Sequence, residues 1–128
     1  AAWCLLDESS EAADRVLTCL MEEEALVPAL WLAEMANVLL VAERQGRITP
    51  ADAARAVQLL SALPIGIEPA APADLNACRL TAREYGLSAY DAAYLELAQR
   101  AGLPLATMDQ ALATAATKSG IPLLLDRQ

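Results

Sequence analysis

Helical stretches alternate with short apolar runs along the chain, and this alternation restricts the fold more than any other feature. Four apolar runs have the length of a β-strand. They are ALVP (25–28), PIGIEP (64–69), LPLATMD (103–109) and IPLLL (121–125). Short strands separated by helices are typical of an α/β domain with mostly parallel strands. We therefore predict an α/β fold with a parallel β-sheet flanked by helices.

The helices are predicted from the spacing of apolar residues and from the signals at their ends. The predicted ranges are 9–24, 28–46, 49–63, 71–86, 88–102 and 110–120. Gly46, Gly86 and Gly102 are typical stop signals. Thr49 before Pro50 is a typical helix start, and Ser88 is a candidate cap of its helix.

The first residues do not follow this pattern. A parallel α/β domain usually opens on a strand, whereas AAWCLLDES (1–9) reads as a loop or a first helical turn. We therefore expect the first strand to be absent from this chain. The length of 128 residues fits one domain, predicted to span residues 1–128.

Composition excludes several classes of function. The chain has no histidine, which removes Ser-His-Asp catalysis and histidine metal sites. Three widely spaced cysteines indicate reduced thiols rather than a disulfide framework. No apolar run is long enough to span a bilayer and no signal peptide is recognisable, so we expect a cytoplasmic protein. The net charge of −8 is unusual for a nonspecific nucleic-acid binder, unless bound cations or a basic partner reverse it locally.

The remaining chemistry must come mainly from carboxylates, and three of them stand out. Glu34 lies in an apolar helix, Asp91 lies in the first turn of another helix, and Asp109 ends a predicted strand. Each has an ordinary structural explanation: a polar stripe for Glu34, the helix dipole for Asp91, and a helix cap for Asp109. Thr107 points to the same side of its strand as Asp109. If the three acids converge, they would form a site for a hard cation such as Mg²⁺.

Three stretches carry a resemblance to a known family. They are VPALWLAEMANVLLVAERQGRIT, LSAYDAAYLELAQRAGLPLATMDQALATAA and the closing GIPLLL. From about residue 3 to residue 125 the chain resembles a PIN-domain ribonuclease of the VapC toxin type. The resemblance implies Mg²⁺- or Mn²⁺-dependent cleavage of RNA, a homodimer, and neutralisation by a cognate antitoxin.

The resemblance also implies a set of site residues. Glu34, Asp91 and Asp109 match the second, third and fourth acids of the family, and Thr107 matches its nearby hydroxyl. The family's first acid ends the opening strand, and no residue here matches it, since Asp7 lies too far along the chain.

Other interpretations remain open at this point. Without the first acid, the chain could be a catalytically inactive PIN-like domain that binds an antitoxin. A receiver-like domain that accepts phosphate on an aspartate is a weaker alternative. Several residues are candidate RNA contacts, although helix ends explain the arginines, and core packing explains Trp31 and Tyr94. These candidates are Arg44, Arg47, Trp3, Trp31, Tyr90 and Tyr94.

Overall fold

A computed structural model describes residues 24–107 and 109–123. The predicted helix 9–24, except for Glu24, and the opening stretch 1–9 lie outside the described residues. So do Trp3 and Asp7.

Two short strands form a parallel pair. Strand β1 (Ala25–Pro28) pairs with strand β2 (Ile65–Glu68), and the register sets Ala25 opposite Ile65. Two helices connect these strands, because parallel neighbours need a long crossover. They are α1 (Leu30–Arg44) and α2 (Pro50–Ala62). The predicted α/β class with parallel strands is confirmed.

The last two predicted strands lie partly outside the described residues, since residues 108, 124 and 125 are not described. Within the described residues, the segments 103–109 and 121–125 meet in a single parallel bridge between Leu105 and Leu123. The Leu105 N–H donates to the Pro122 carbonyl at 2.9 Å. Pro104 and Pro122 have no N–H to donate to a ladder.

Three further helices complete the described part of the chain. They are α3 (Ala73–Tyr85), α4 (Ala89–Ala101) and α5 (Gln110–Lys118). Gly86 and Gly102 end α3 and α4 in the left-handed conformation, as their sequence positions predict. Thr49 starts α2 with a capping box that also involves Asp52.

Helix α4 is the centre of the core. Most of its residues are buried, and Leu95 is completely enclosed. It packs in one cluster with Val27 of β1, Trp31 and Met35 of α1, and Leu112 of α5. Trp31 and Tyr94 belong to this cluster, so the packing predicted for them is confirmed. Because α1, α5 and β1 all pack on α4, this helix sets the relative positions of the candidate acids.

The described residues contain no helix that is both long and apolar enough to cross a membrane.

Candidate functional site

Asp91 lies where the central helix begins. Ser88 caps α4, and its hydroxyl oxygen accepts the Asp91 N–H at 3.1 Å. The Asp91 side chain is partly buried, and this burial is the largest cause of a raised pKa for its carboxyl. The negative charge of Asp109 raises the pKa further, while a hydrogen bond with the Ser88 side chain opposes the shift.

Asp109 performs the capping role that its sequence position predicts. Its Oδ2 accepts the Leu112 N–H at 2.9 Å at the start of α5. Its own N–H donates to Oγ1 of Thr107 at 3.0 Å. Thr107 is the buried polar residue of the described core. The hydroxyl therefore helps to fix the backbone that presents the Asp109 carboxylate.

The structure thus brings Asp91 and Asp109 within electrostatic reach of each other. The two residues lie at the N-termini of α4 and α5, which pack together. Two nearby carboxylates repel, and the Asp91 carboxyl responds with a raised pKa. Both helix dipoles also favour negative charge at this place. Asp91 and Asp109 therefore keep their ordinary positions at helix starts and also interact electrostatically with each other.

Glu34 does not join this pair in the way the sequence predicted. It lies on α1, partly buried, and its Oε1 accepts a hydrogen bond from the Tyr94 hydroxyl. Within residues 24–107 and 109–123, no three acids or cysteines are grouped closely enough to hold a metal ion. Among these residues the expected three-acid cluster is not formed, and Glu34 is hydrogen-bonded to Tyr94 of α4.

Tyr94 is the site-adjacent residue whose polar role sequence reasoning missed. Its ring was predicted to pack in the core, which it does, but its hydroxyl reaches a carboxylate on another helix. One signal was present in the sequence: a buried tyrosine hydroxyl usually finds a polar partner. Tyr94 also follows Asp91 by three residues, so both lie on one side of α4.

The other candidate contacts are distributed over the surface. Arg44 ends α1 and is exposed, as is Arg47 just beyond it. Tyr90 is 69% exposed and immediately precedes Asp91.

The donor chemistry at Asp91 and Asp109 fits a hard divalent cation. Carboxylate oxygens are the ligands that Mg²⁺ and Mn²⁺ prefer. A bound divalent cation would offset the repulsion from Asp109, which adds to burial in raising the pKa of Asp91. The structure therefore offers two acids that could hold such an ion, with Glu34 on the neighbouring helix.

An apolar cleft lies along α1. Its volume is about 360 Å³, and it is enclosed by α1, α2 and β2. Trp31, Met35 and Leu39 contribute their side chains from α1, and Val57 and Leu60 contribute from α2. None of the candidate acids lines this cleft.

Comparison with known proteins gives the family. The PIN domain family matches residues 2–118. The crystal structure of PAE2754 from Pyrobaculum aerophilum is similar in fold, with a TM-score of 0.66 and 28% sequence identity. That similarity covers 90% of this chain and 80% of that chain. No curated protein matches the sequence. PIN domains are generally nucleases and generally use divalent metals. The match extends over most of the 128 residues, and the chain therefore belongs to the PIN domain family.

Proposed function

We propose that this protein is a metal-dependent endoribonuclease and the toxin of a toxin–antitoxin pair. Membership of a family that consists generally of nucleases supports the reaction class. The single observation that carries the proposal is the placement of the Asp91 and Asp109 carboxylates at the N-termini of α4 and α5, two helices that pack together. Two ionised carboxylates repel each other, and a bound Mg²⁺ or Mn²⁺ would reduce that repulsion.

In this proposal the residues have distinct tasks. Asp91 and Asp109 hold the cation, and Glu34 provides a third carboxylate from α1. The chemistry supplied by such a cation is activation of water and stabilisation of the leaving oxygen of the phosphodiester. Thr107 accepts the Asp109 N–H, so it orients the backbone that carries one of the ligands. The exposed ring of Tyr90 offers a surface on which an RNA base stacks.

The test replaces one carboxylate by its uncharged isostere. Asp91→Asn in the full chain should reduce Mn²⁺-dependent RNA cleavage by on the order of a hundredfold or more, since a metal ligand is lost. Its matched control is Asp74→Asn, which changes another acid in the first turn of a helix. The control should cleave RNA like the wild type. Undiminished cleavage by Asp91→Asn, or an equal loss in both variants, would contradict the proposal.

A binding role is the second candidate function, in which the chain is an inactive PIN-like domain that recognises an antitoxin. This alternative is favoured because no three acids or cysteines of the described residues are grouped closely enough to hold a metal ion. The net charge of −8 suits a basic partner segment. Metal titration separates the two functions. Tight Mn²⁺ binding with RNA cleavage by the 128-residue chain would rule out the inactive alternative.

The partners and the site of action are part of the proposal. The toxin role requires a cognate antitoxin, and the resemblance to VapC-type toxins favours a homodimer acting on RNA in the cytoplasm. Light scattering on the purified chain measures the number of subunits. A monomeric mass at micromolar concentration would exclude the dimer under those conditions, without bearing on the cleavage reaction.

A further inference from the structure

Beyond this proposed function, on which the inference rests, we propose that Arg79 and Arg83 bind the phosphate backbone of the RNA substrate. Both arginines lie on α3, and Arg83 belongs to the last turn of that helix. Two observations carry the proposal. The charges of these arginines are not paired with a carboxylate of the described residues, and α3 packs against α4, the helix that carries Asp91.

The two arginines keep their positive charge available at the surface. Both are exposed, and among the residues that the structure describes neither forms an ion pair with an acid. Arg79 instead donates two hydrogen bonds to Oδ1 of Asn76, from Nε at 3.2 Å and from Nη2 at 2.9 Å. An amide oxygen has no net charge, so this contact holds the guanidinium without neutralising it. Arg55 differs, because it is paired with Asp52.

Arg79 and Arg83 lie on one side of α3. They are four residues apart, so their side chains are neighbours on the helix surface. A shallow depression on this helix is lined by Leu80, Thr81, Arg83 and Glu84. The Arg83 guanidinium and the Thr81 hydroxyl are hydrogen-bond donors of the kind that contact phosphate oxygens. This surface therefore offers two adjacent cations against the single acid of the depression.

The packing of α3 against α4 brings this surface to the end of α4 that carries Asp91. Only residues 86–88 connect the two helices, which pack together. Asp74 from the first turn of α3 and Arg100 from the last turn of α4 line the same small pocket. The helices are therefore antiparallel. Arg83 in the last turn of α3 and Asp91 in the first turn of α4 thus lie at the same end of the helix pair.

Cations at this end of the helix pair suit the proposed reaction. The net charge of −8 repels a polyanion, so an RNA-cleaving chain needs local positive charge where the RNA lies. With Asp91 as a ligand of the catalytic cation, Arg79 and Arg83 hold phosphates next to the one that is cleaved. Contacts to phosphates position the strand and carry no sequence information, so the two arginines strengthen binding of RNA of any sequence.

The test measures how salt changes the binding of a fluorescent single-stranded RNA oligonucleotide, read by anisotropy in EDTA so that no cleavage occurs. Arg79→Gln/Arg83→Gln should bind about tenfold more weakly than the wild type at low salt, because two phosphate contacts are lost. The slope of log affinity against log salt should become shallower by about 1.4, since each contact to a single strand contributes about 0.7. With Mn²⁺ present, the KM for RNA should rise while Mn²⁺ affinity stays unchanged.

Arg55→Gln is the matched control for each single variant. It also removes one positive charge from an exposed arginine, but on α2 and from a pair with Asp52. It should bind RNA with the wild-type affinity and salt slope. Arg79→Lys/Arg83→Lys keeps both charges and should retain the wild-type slope, which separates a role of the charge from a role of the side-chain shape.

The outcomes separate this inference from the proposed function. If the wild type cleaves RNA with Mn²⁺ and Arg79→Gln/Arg83→Gln keeps the wild-type affinity and salt slope, the arginine contacts are wrong and the proposed function stands. An equal loss in Arg55→Gln and Arg83→Gln also overturns the inference, since a change in net charge alone would cause it. If the wild type binds RNA through these arginines but does not cleave it with Mn²⁺, the proposed function fails and the contacts stand. Thermal unfolding shows whether the double variant is folded. If it is not, each single variant carries the test, with a slope change of about 0.7.

Discussion

Asp109 raises the pKa of Asp91 although each carboxylate has a structural place of its own at a helix N-terminus. Burial of Asp91 is the larger cause of the shift, and the charge of Asp109 adds to it. An acid with a raised pKa in the folded state favours folding when it is protonated. This contribution is fully present below the unfolded pKa of 3.8 and is lost as the pH rises through the folded value. At neutral pH the ionised Asp91 therefore lowers the free energy of unfolding of the metal-free protein.

The first prediction concerns this pH dependence. Without metal, Asp91→Asn should be more stable than the wild type at pH 7, because the variant has no charge to desolvate and none to repel Asp109. The difference should shrink as the pH falls and disappear below about pH 3.8, where the wild-type carboxyl is also neutral. Denaturant unfolding at several pH values measures it. A stability difference that does not change with pH would contradict the raised pKa of Asp91 in the folded protein.

The second prediction concerns metal removal. Mn²⁺ should raise the melting temperature of the wild type, because a ligand that binds only the folded state stabilises it by about 2.7 kcal/mol at a hundred times its Kd. Addition of EDTA should reverse the effect. The double variant Asp91→Asn/Asp109→Asn should melt at one temperature with or without Mn²⁺. A Mn²⁺-dependent shift in the double variant would place the ion elsewhere.

The third prediction separates the two roles of Asp109. Its carboxylate caps α5 by accepting the Leu112 N–H, and a serine at this position retains an oxygen that can accept the same bond. Asp109→Ser should keep most of the stability but lose cleavage, whereas Asp109→Ala should lose cleavage and also about 1 kcal/mol of stability. Unfolding and RNA cleavage are measured on both variants. Full activity of Asp109→Ser would show that the Asp109 carboxylate is needed only to cap α5 and not for cleavage.

The fourth prediction concerns Cys78, which is a free, partly buried thiol on α3. Burial raises its pKa, the charges of Glu96 and Asp74 raise it further, and Arg100 opposes the shift. Glu96→Gln should lower this pKa and speed the reaction with a disulfide reagent at pH 8, because the thiolate becomes more abundant.

The measurement on Cys78 uses a chain in which Cys4 and Cys19 are replaced by serine, so that a single thiol reacts. Glu43→Gln, on α1, serves as the control for a general change in net charge. A reaction rate that rises equally in both variants would show that Glu96 has no specific influence on the thiol.

Much of the fold could be predicted because its signals are local. Thr49, Ser88 and Asp109 each accept a backbone N–H three residues further on, and these contacts depend only on a few consecutive residues. The five predicted helices that lie within the described residues agree with the structure to within about two residues at each end. The segments of the last two predicted strands do meet in parallel, through the bridge between Leu105 and Leu123, although an apolar run by itself does not reveal how many ladder bonds form.

The sequence by itself determined most helix starts and stops and the α/β class, because short-range hydrogen bonds and apolar periodicity control these features. Tertiary structure alone decided which acids meet. Asp91 and Asp109 approach each other because α4 and α5 pack together, and Glu34 is engaged by Tyr94 because α1 packs on the same central helix. Asp91 and Asp109 are 18 positions apart in the sequence, and Glu34 and Tyr94 are 60 positions apart. At such separations the relative position of two side chains depends on how whole helices pack and not on any local sequence pattern.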